Sequence, residues 1–503
     1  MILNINGELN RYYAQTLCMI FFPGTDFSEK QQITEDTPVV DFNINVMESG
    51  VNVSVTIKYM GRTESADIYK DIFSAYNKNN SVEKCIKLAA GTAMITAGEK
   101  MFGNIPPWGI LTGVRPSKIA ADCLAQGMKV KETKSILKDE YHINPKKATL
   151  VTNIAVKEEK IIKKLPKNAC SLYISIPFCP SRCAYCSFVS YSTKRLLSLI
   201  PEYLDQLLND LDEMLNVIKT LGQKVVTIYI GGGTPTILTA LQLETLLKKI
   251  SDNINVSELL EFSLEAGRPD TITKEKIDIA LRYGVNRISI NPQTLNEQVL
   301  LNIGRKHTVA DFYRAFDITR ECGVPVINTD IIAGLPGESY ASFSHTVEEL
   351  LKLRPENIMC HTFCVKKSAD ILKNGTDIYS IDGGDTGKCI DYTQITTKNA
   401  GYIPYYMYRQ KNTIGNFENV GFSLDGMEGK YNIFIMEEVH SIFSVGAGAS
   451  IKVVSPDRKN IVRYFMPKYP YEYLSLKDNS EYKTKIYNGI YKFYEENFGD
   501  VIK

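Results

Sequence analysis

Nothing in the chain is apolar for long enough to cross a bilayer: residues 16–22 and 324–335, its most apolar runs, fall well short of the ~18 that a spanning helix needs. The opening residues, Met1-Ile-Leu-Asn-Ile-Asn-Gly7, lack the basic start and apolar centre of a signal peptide. Net charge is nearly absent, with 58 Lys and Arg against 57 Asp and Glu, so there is no overall field to draw in nucleic acid or acidic lipid. The sequence shows no internal repeat. With 44% apolar and 23% charged residues among 503, disorder, collagen-like repeats and a small stapled scaffold are excluded. The length suits about three domains.

Eleven cysteines are present, an odd number, and three of them fall between positions 179 and 186. Such crowding suits metal ligation in a reducing compartment better than a disulfide framework, and the expected location is cytoplasmic.

Three zones are expected: residues 1–167, 168–375 and 376–503. In the first, residues 40–45 and 51–59 alternate with a period of two and read as strands, and 81–100 carry a helical pattern. The segment Ile105-Pro-Pro-Trp-Gly-Ile-Leu-Thr-Gly-Val-Arg-Pro-Ser-Lys118 is rich in Pro and Gly and reads as a loop anchored by the chain's lone Trp. The second zone alternates six short apolar runs (172–176, 225–230, 260–265, 287–291, 324–332, 357–364) with helical patterns such as 202–221 and 240–250. That alternation predicts parallel βαβ units, in a barrel or an open sheet. The third zone opens with an Asp382-Gly-Gly-Asp385 turn, and its Tyr- and Lys-dense tail, 464–498, reads as an amphipathic helical cap with solvated lysines.

The strongest chemical signal is Cys179-Pro-Ser-Arg-Cys183-Ala-Tyr-Cys186, leaving the first run of the second zone. Three thiolates at this spacing suit three corners of an iron–sulfur cube and leave the fourth iron open to a chelating small molecule. A structural zinc site needs four N or S ligands, and no histidine lies between His142 and His307. A three-cysteine catalytic zinc site and inert buried cysteines are the competing readings. The remaining cysteines read as small core residues.

The second run leads straight into Gly231-Gly-Gly-Thr-Pro235, which is neither a phosphate loop nor a dinucleotide fingerprint. Three glycines there let a ligand touch the backbone itself, as an α-amino acid moiety would. Later runs end in the polar residues Glu265, Gln293 and Asp330, with Arg305 following. Ligands of parallel α/β folds sit at the carboxyl ends of strands, where carboxylates and an amide suit ribose hydroxyls and a guanidinium suits a carboxylate.

Taken together these residues resemble the radical S-adenosylmethionine (SAM) enzymes. The Tyr173-Ile-Ser-Ile-Pro-Phe-Cys179 context, Gly231-Gly-Gly-Thr-Pro235 and Gly334-Leu-Pro-Gly-Glu338 are similar to the oxygen-independent coproporphyrinogen III oxidase (coproporphyrinogen dehydrogenase) family. The Ile110-Leu-Thr-Gly-Val-Arg-Pro-Ser-Lys118 and Tyr405-Tyr-Met-Tyr-Arg-Gln-Lys-Asn412 segments resemble its longer branch, which has an extra N-terminal domain.

The resemblance implies an α/β fold: a partial (β/α)6 barrel with an N-terminal α+β domain and a mainly helical C-terminal region. It implies that Cys179, Cys183 and Cys186 ligate a [4Fe–4S] cluster whose open iron takes the amino and carboxylate groups of SAM. Tyr173, Tyr185, Gly232, Gly233, Thr234, Glu265, Gln293, Arg305 and Asp330 stand where the family contacts SAM, and Cys360 is added to them. A flavodoxin- or ferredoxin-type donor would reduce the cluster, and a 5′-deoxyadenosyl radical would convert two propionates of coproporphyrinogen III to vinyl groups, giving protoporphyrinogen IX. No nucleic acid, membrane span or assigned catalytic side chain is implied. Ser175 stands where the family pattern has histidine, and Phe188 where it has a fourth cysteine. A haem chaperone on the same frame, for which His307 and His361 are candidate ligands, and a haem-modifying radical SAM protein are the alternative functions.

Overall fold

The computed structural model describes all residues except 28–33, 35, 75–80, 187, 189, 365–383, 411–412, 479 and 500–503. The expected boundary at 375–376 and the first half of the Asp382–Asp385 turn lie outside the described residues.

Alternation builds the first layer. Strands β1 (Ile2–Asn6), β2 (Val39–Val46), β3 (Gly50–Tyr59) and β4 (Arg62–Asp71) form a four-stranded sheet in that order, β1 parallel to β2 and the rest antiparallel. Val51, Val53, Val55 and Ile57 are wholly buried, and the helices Arg11–Phe21 and Val82–Phe102 cover that face. Ser81 caps the second helix, and Gly103, in the left-handed region at φ 76°, ends it.

Each of the six apolar runs is a strand of a second sheet: β5 (Ala169–Ile176), β6 (Lys224–Gly232), β7 (Glu261–Glu265), β8 (Arg287–Ser289), β9 (Val326–Ala333) and β10 (Asn357–Thr362), all parallel. Strands buried on both faces show no alternation, which is why they read as continuous apolar runs. The intervening helices, among them Ile200–Thr220 and Ala240–Asn253, pack leucines on the outer face. The C-terminal zone adds helices and also five strands: β11 (Ile403–Arg409), β12 (Glu418–Ser423), β13 (Ile442–Val445), β14 (Ser450–Val454) and β15 (Ile461–Phe465). The full order is β11-β12-β10-β9-β8-β7-β6-β5-β13-β14-β15. β13 extends the parallel run beside β5, and antiparallel pairs finish both edges.

The segment after β12 packs against the amino ends of the strands. Met427 O accepts from Arg287 and Asn357, Lys430 N donates to Glu261, and Tyr431 stacks on Tyr229 at 4.8 Å. The carboxyl ends are left as the mouth. In the tail, Lys483 departs from the expected solvated lysines. It is 9% exposed, with its ammonium 2.9 Å from Asp210 and 3.0 Å from Glu213. Among the described residues no helix is long and apolar enough to cross a membrane.

The two hydrophobic cores meet near the lone Trp. Ile110 belongs to the core of the first sheet, whereas Trp108 and the helix Pro145–Ile162 belong to that of the second. Trp108 is wholly buried and donates through Nε1 to Glu418 of β12 at 2.8 Å, and Arg409 lies over its ring. Lys147 pairs with the same carboxylate at 2.6 Å, and Gln394 donates to it at 2.8 Å. Burial acts to raise the Glu418 carboxyl, but Lys147 and Trp108 hold it below its ordinary value. Lys147→Met strands this carboxylate without its cation, an expected loss of about 3–5 kcal/mol. Denaturant unfolding should show it as a lowered midpoint, partly recovered by adding Glu418→Gln.

Candidate active site

The cysteine loop leaves β5 at Pro177 and is pinned by backbone hydrogen bonds at both ends. Cys179 N donates to Tyr191 O, Tyr191 N to Pro177 O, and Ala184 N to Ile303 O at the end of the Glu297–Asn302 helix. The glycine turn after β6 docks on the same loop: Gly233 N donates to Ile176 O and Thr234 N to Phe178 O. Gly232 sits at φ 103°, in the left-handed region, and a Cβ on Gly233 would lie 2.5 Å from Phe178 O. The glycines therefore permit a close approach of turn to cysteine loop.

Cys179, Cys183 and Cys186 are half-buried, while Cys18, Cys85, Cys123, Cys170, Cys360 and Cys389 are buried. Thr234 Oγ1 donates to Cys179 Sγ at 3.4 Å. Burial pushes the Cys179 and Cys186 thiols up. Among the described residues no three His, Cys, Asp or Glu side chains converge on a single-ion position.

Across the mouth, side chains from successive strands meet. Glu265, at the end of β7, accepts from Tyr229 at 2.5 Å and from Asn291 at 2.8 Å. Asn291 Oδ1 accepts the backbone N–H of Asp330 at 3.2 Å, and Asn328 donates to the Asp330 carboxylate at 2.8 Å. The carboxyl of Glu265 is pushed up to about 7, first by burial and then by the charge of Asp330. Gln293 takes a left-handed backbone, φ 67°, held by Gln293 N to Asp330 O and Ile332 N to Gln293 O. Its Oε1 is buried without a partner.

Arg305, the guanidinium expected to meet a ligand's carboxylate, is held by the main chain. Its two terminal nitrogens donate to Asn291 O and Gly267 O, tying two strand-end loops together, and its buried Nε has no partner. Burial acts to lower this guanidinium, but Tyr185 and Cys183 beside it leave it above its ordinary value. Tyr185 enters the apolar cluster of Val299, Leu300 and Ile303 beneath the cysteine loop. Tyr173 lies deeper, stacked on Tyr229 at 6.2 Å and Tyr431 at 6.3 Å. Cys360 is a correction: its register partner is Ile331, on the helix-covered face, and its thiol meets Thr393 at 3.8 Å. Apart from Cys360 and the deeper-lying Tyr173, the expected residues stand at or next to the carboxyl ends of the strands.

Tyr229, Asn291 and Tyr408, absent from the sequence reading, complete the site together with His361, expected there only as a haem ligand. Tyr229 and Asn291 orient Glu265, and His361 lies 3.4 Å from Asp330 and 3.2 Å from the Tyr408 hydroxyl. The signal for Asn291 and His361 was a polar residue inside an otherwise apolar run. His307 is buried between Arg305 and Arg268, and burial first, then those charges, push its imidazole down to about 3.

Residues 173–350 match the model of the radical SAM superfamily. The oxygen-independent coproporphyrinogen-III oxidase-like protein HemZ of Bacillus subtilis is 35% identical over 86% of this chain and 87% of its own length. The haem chaperone HemW of Lactococcus lactis is 31% identical over 60% of this chain and 75% of its own. Coproporphyrinogen III oxidase (HemN) of Escherichia coli, a solved structure, overlays with a TM-score of 0.48 at 20% identity, over 65% of this chain and 72% of its own. Radical SAM proteins use a [4Fe–4S] cluster and SAM, and the site fits both: three half-buried thiols on one pinned loop, the unpartnered Nε of Arg305, whose guanidinium lies beside Cys183, and the unpartnered Gln293 Oε1 at a strand end. The chain belongs to the oxygen-independent coproporphyrinogen-III oxidase-like family of radical SAM proteins.

Proposed function

We propose that this chain oxidatively decarboxylates two propionate side chains of coproporphyrinogen III to vinyl groups. The observation that carries the reading is the match to an oxygen-independent coproporphyrinogen-III oxidase-like protein over 86% of this chain, which is too long to be confined to residues 168–503. In this reading Cys179, Cys183 and Cys186 hold the cluster. Gly232, Gly233 and Thr234 offer backbone groups to the amino acid end of SAM, Glu265 and Asp330 accept from the ribose hydroxyls, and Gln293, Tyr185 and Tyr173 line its bed. When bound, the cluster and SAM supply the radical chemistry that removes hydrogen from a propionate.

The chain's own part is positioning and exclusion of water. Tyr229 and Asn291 occupy both oxygens of Glu265, which fixes its rotamer before any ligand arrives. Arg305 clamps the loops after β7 and β8, so the bed moves as one piece. The segment around Tyr431 packs into the floor, opposite the mouth. A flavodoxin- or ferredoxin-type protein is the electron donor, and the cytoplasm the site of action.

A haem chaperone is the second reading. It is favoured by the similarity to HemW proteins and by His361, which stands at the carboxyl ends beside Asp330. Anaerobic incubation of reconstituted protein with SAM, a reductant and coproporphyrinogen III separates the two by mass spectrometry. Loss of two CO2 units is expected; stoichiometric haem binding without decarboxylation would transfer the chain to the second reading.

Two further outcomes follow from the site. Gly233→Ala drives a methyl into the backbone of Phe178, so iron content after reconstitution should fall severalfold while the remote first sheet stays folded by circular dichroism; full loading would show that turn and cysteine loop are independent. Glu265 accepts best as the charged carboxylate, which exists above about 7. SAM affinity should therefore rise between pH 6 and 8, and Glu265→Gln should flatten that rise in a calorimetric titration.

A further inference from the structure

A cluster needs an entry point for electrons, and the outer limb of the cysteine loop supplies one. Phe188, two residues beyond Cys186, is 70% exposed. The returning limb places the Tyr191 ring 5.8 Å from that of Tyr469, and the Tyr191 hydroxyl donates to Lys468 O at 3.3 Å. The neighbouring C-terminal stretch exposes Phe465 (60%), Tyr469 (58%) and Tyr471 (44%). Arg195 holds Tyr471 by a 2.9 Å hydrogen bond and by stacking over its ring.

Solvent-facing aromatics gathered this way mark an interaction surface rather than a core. Around them stand the exposed cations Arg182, Lys194, Arg195 and Lys468, with Glu472 as an acid in their midst. The chain as a whole is close to neutral, so this basic rim is local rather than a reflection of net charge. Tyr191 O receives the amide of Cys179, so one backbone hydrogen bond ties the patch to the main chain of a cluster cysteine.

We propose that this surface docks a small acidic flavoprotein of the flavodoxin type. The inference rests on the cluster assignment above and names the face through which its electron arrives. The apolar edge of a flavin set in an acidic rim matches aromatic residues set in a basic one. On contact the flavin hydroquinone is oxidised by one electron and the [4Fe–4S] cluster is reduced by one. Phe188 and the Tyr191–Tyr469 pair take the flavin edge, and Lys194 and Lys468 take its acidic surround.

The test compares cluster-loaded wild type with Lys194→Glu/Lys468→Glu and with Phe188→Ser, anaerobically. Cluster bleaching is followed after mixing with flavodoxin hydroquinone or with dithionite, and the affinity for oxidised flavodoxin is titrated separately. The double charge reversal should slow the flavodoxin reaction roughly tenfold at low salt, with dithionite reduction unchanged. Wild-type rates should fall as salt rises, and flavodoxin affinity should drop in the variants. Equal flavodoxin rates and affinities in all three proteins would overturn the proposal, as would reduction by a ferredoxin alone. Failure of wild type to load a cluster would instead strike the ligand assignment, and the binding titration still decides the surface.

Discussion

The site depends on a backbone lattice more than on any side chain. Ile176 O and Phe178 O receive the amides of Gly233 and Thr234, and Ile303 O receives that of Ala184. These bonds join the end of β5, the end of β6 and the Glu297–Asn302 helix around one loop. Buried amide pairs have no water to compete with them, so breaking one leaves an unsatisfied group at a cost of about 1–3 kcal/mol. The thiols of Cys179, Cys183 and Cys186 therefore start from fixed positions. Gly233 makes that lattice sterically possible, since any side chain there would meet the backbone of Phe178.

The same logic explains the polar groups at the mouth. Glu265 is a buried carboxyl beside Asp330, and burial plus like charge disfavour its ionisation. Tyr229 and Asn291 act the other way by donating to its two oxygens. A carboxyl balanced like this sits near its titration point, and cationic or hydroxyl-bearing ligands tip it toward the charged form. Arg305 keeps the geometry rigid by spending its donors on main-chain carbonyls. Its unpartnered Nε and that of Gln293 Oε1 are the groups a ligand would satisfy.

Much of this was legible because parallel strands buried on both faces leave uninterrupted apolar runs, and the six runs are β5 to β10. The cysteine spacing and the glycine turn were legible because their geometry is local. What was not legible is pairing over long sequence distances. β13 is four residues long, and nothing local in Ile442-Phe-Ser-Val445 says that it lies parallel to β5. Cys360 was misplaced for a related reason: residue parity in a strand gives two faces, but only register against β9 shows which of them points to the mouth. His361, its neighbour on the opposite face, is the one that meets Asp330. Likewise Lys483 looked solvated until Asp210, 273 positions away, was found beneath it.

The extra N-terminal zone gains a role from where its second half packs. Trp108 and Lys147 grip Glu418 at the start of β12, and β12 pairs antiparallel with β11, aligning Arg409 with Glu418. Arg409 in turn donates to Leu111 O and lies over the Trp108 ring. The residue before it, Tyr408, reaches His361, and His361 reaches Asp330. A continuous path of packed and hydrogen-bonded groups thus runs from the Pro-rich segment around Trp108 to the carboxylates at the mouth. With the edge strand braced from outside, Tyr408 and His361 are held against Asp330 by the fold itself. Without that brace β11 would be an edge strand free to shift, carrying Tyr408 with it. The zone that lengthens this chain is in this sense part of the wall of the site rather than an appendage to it.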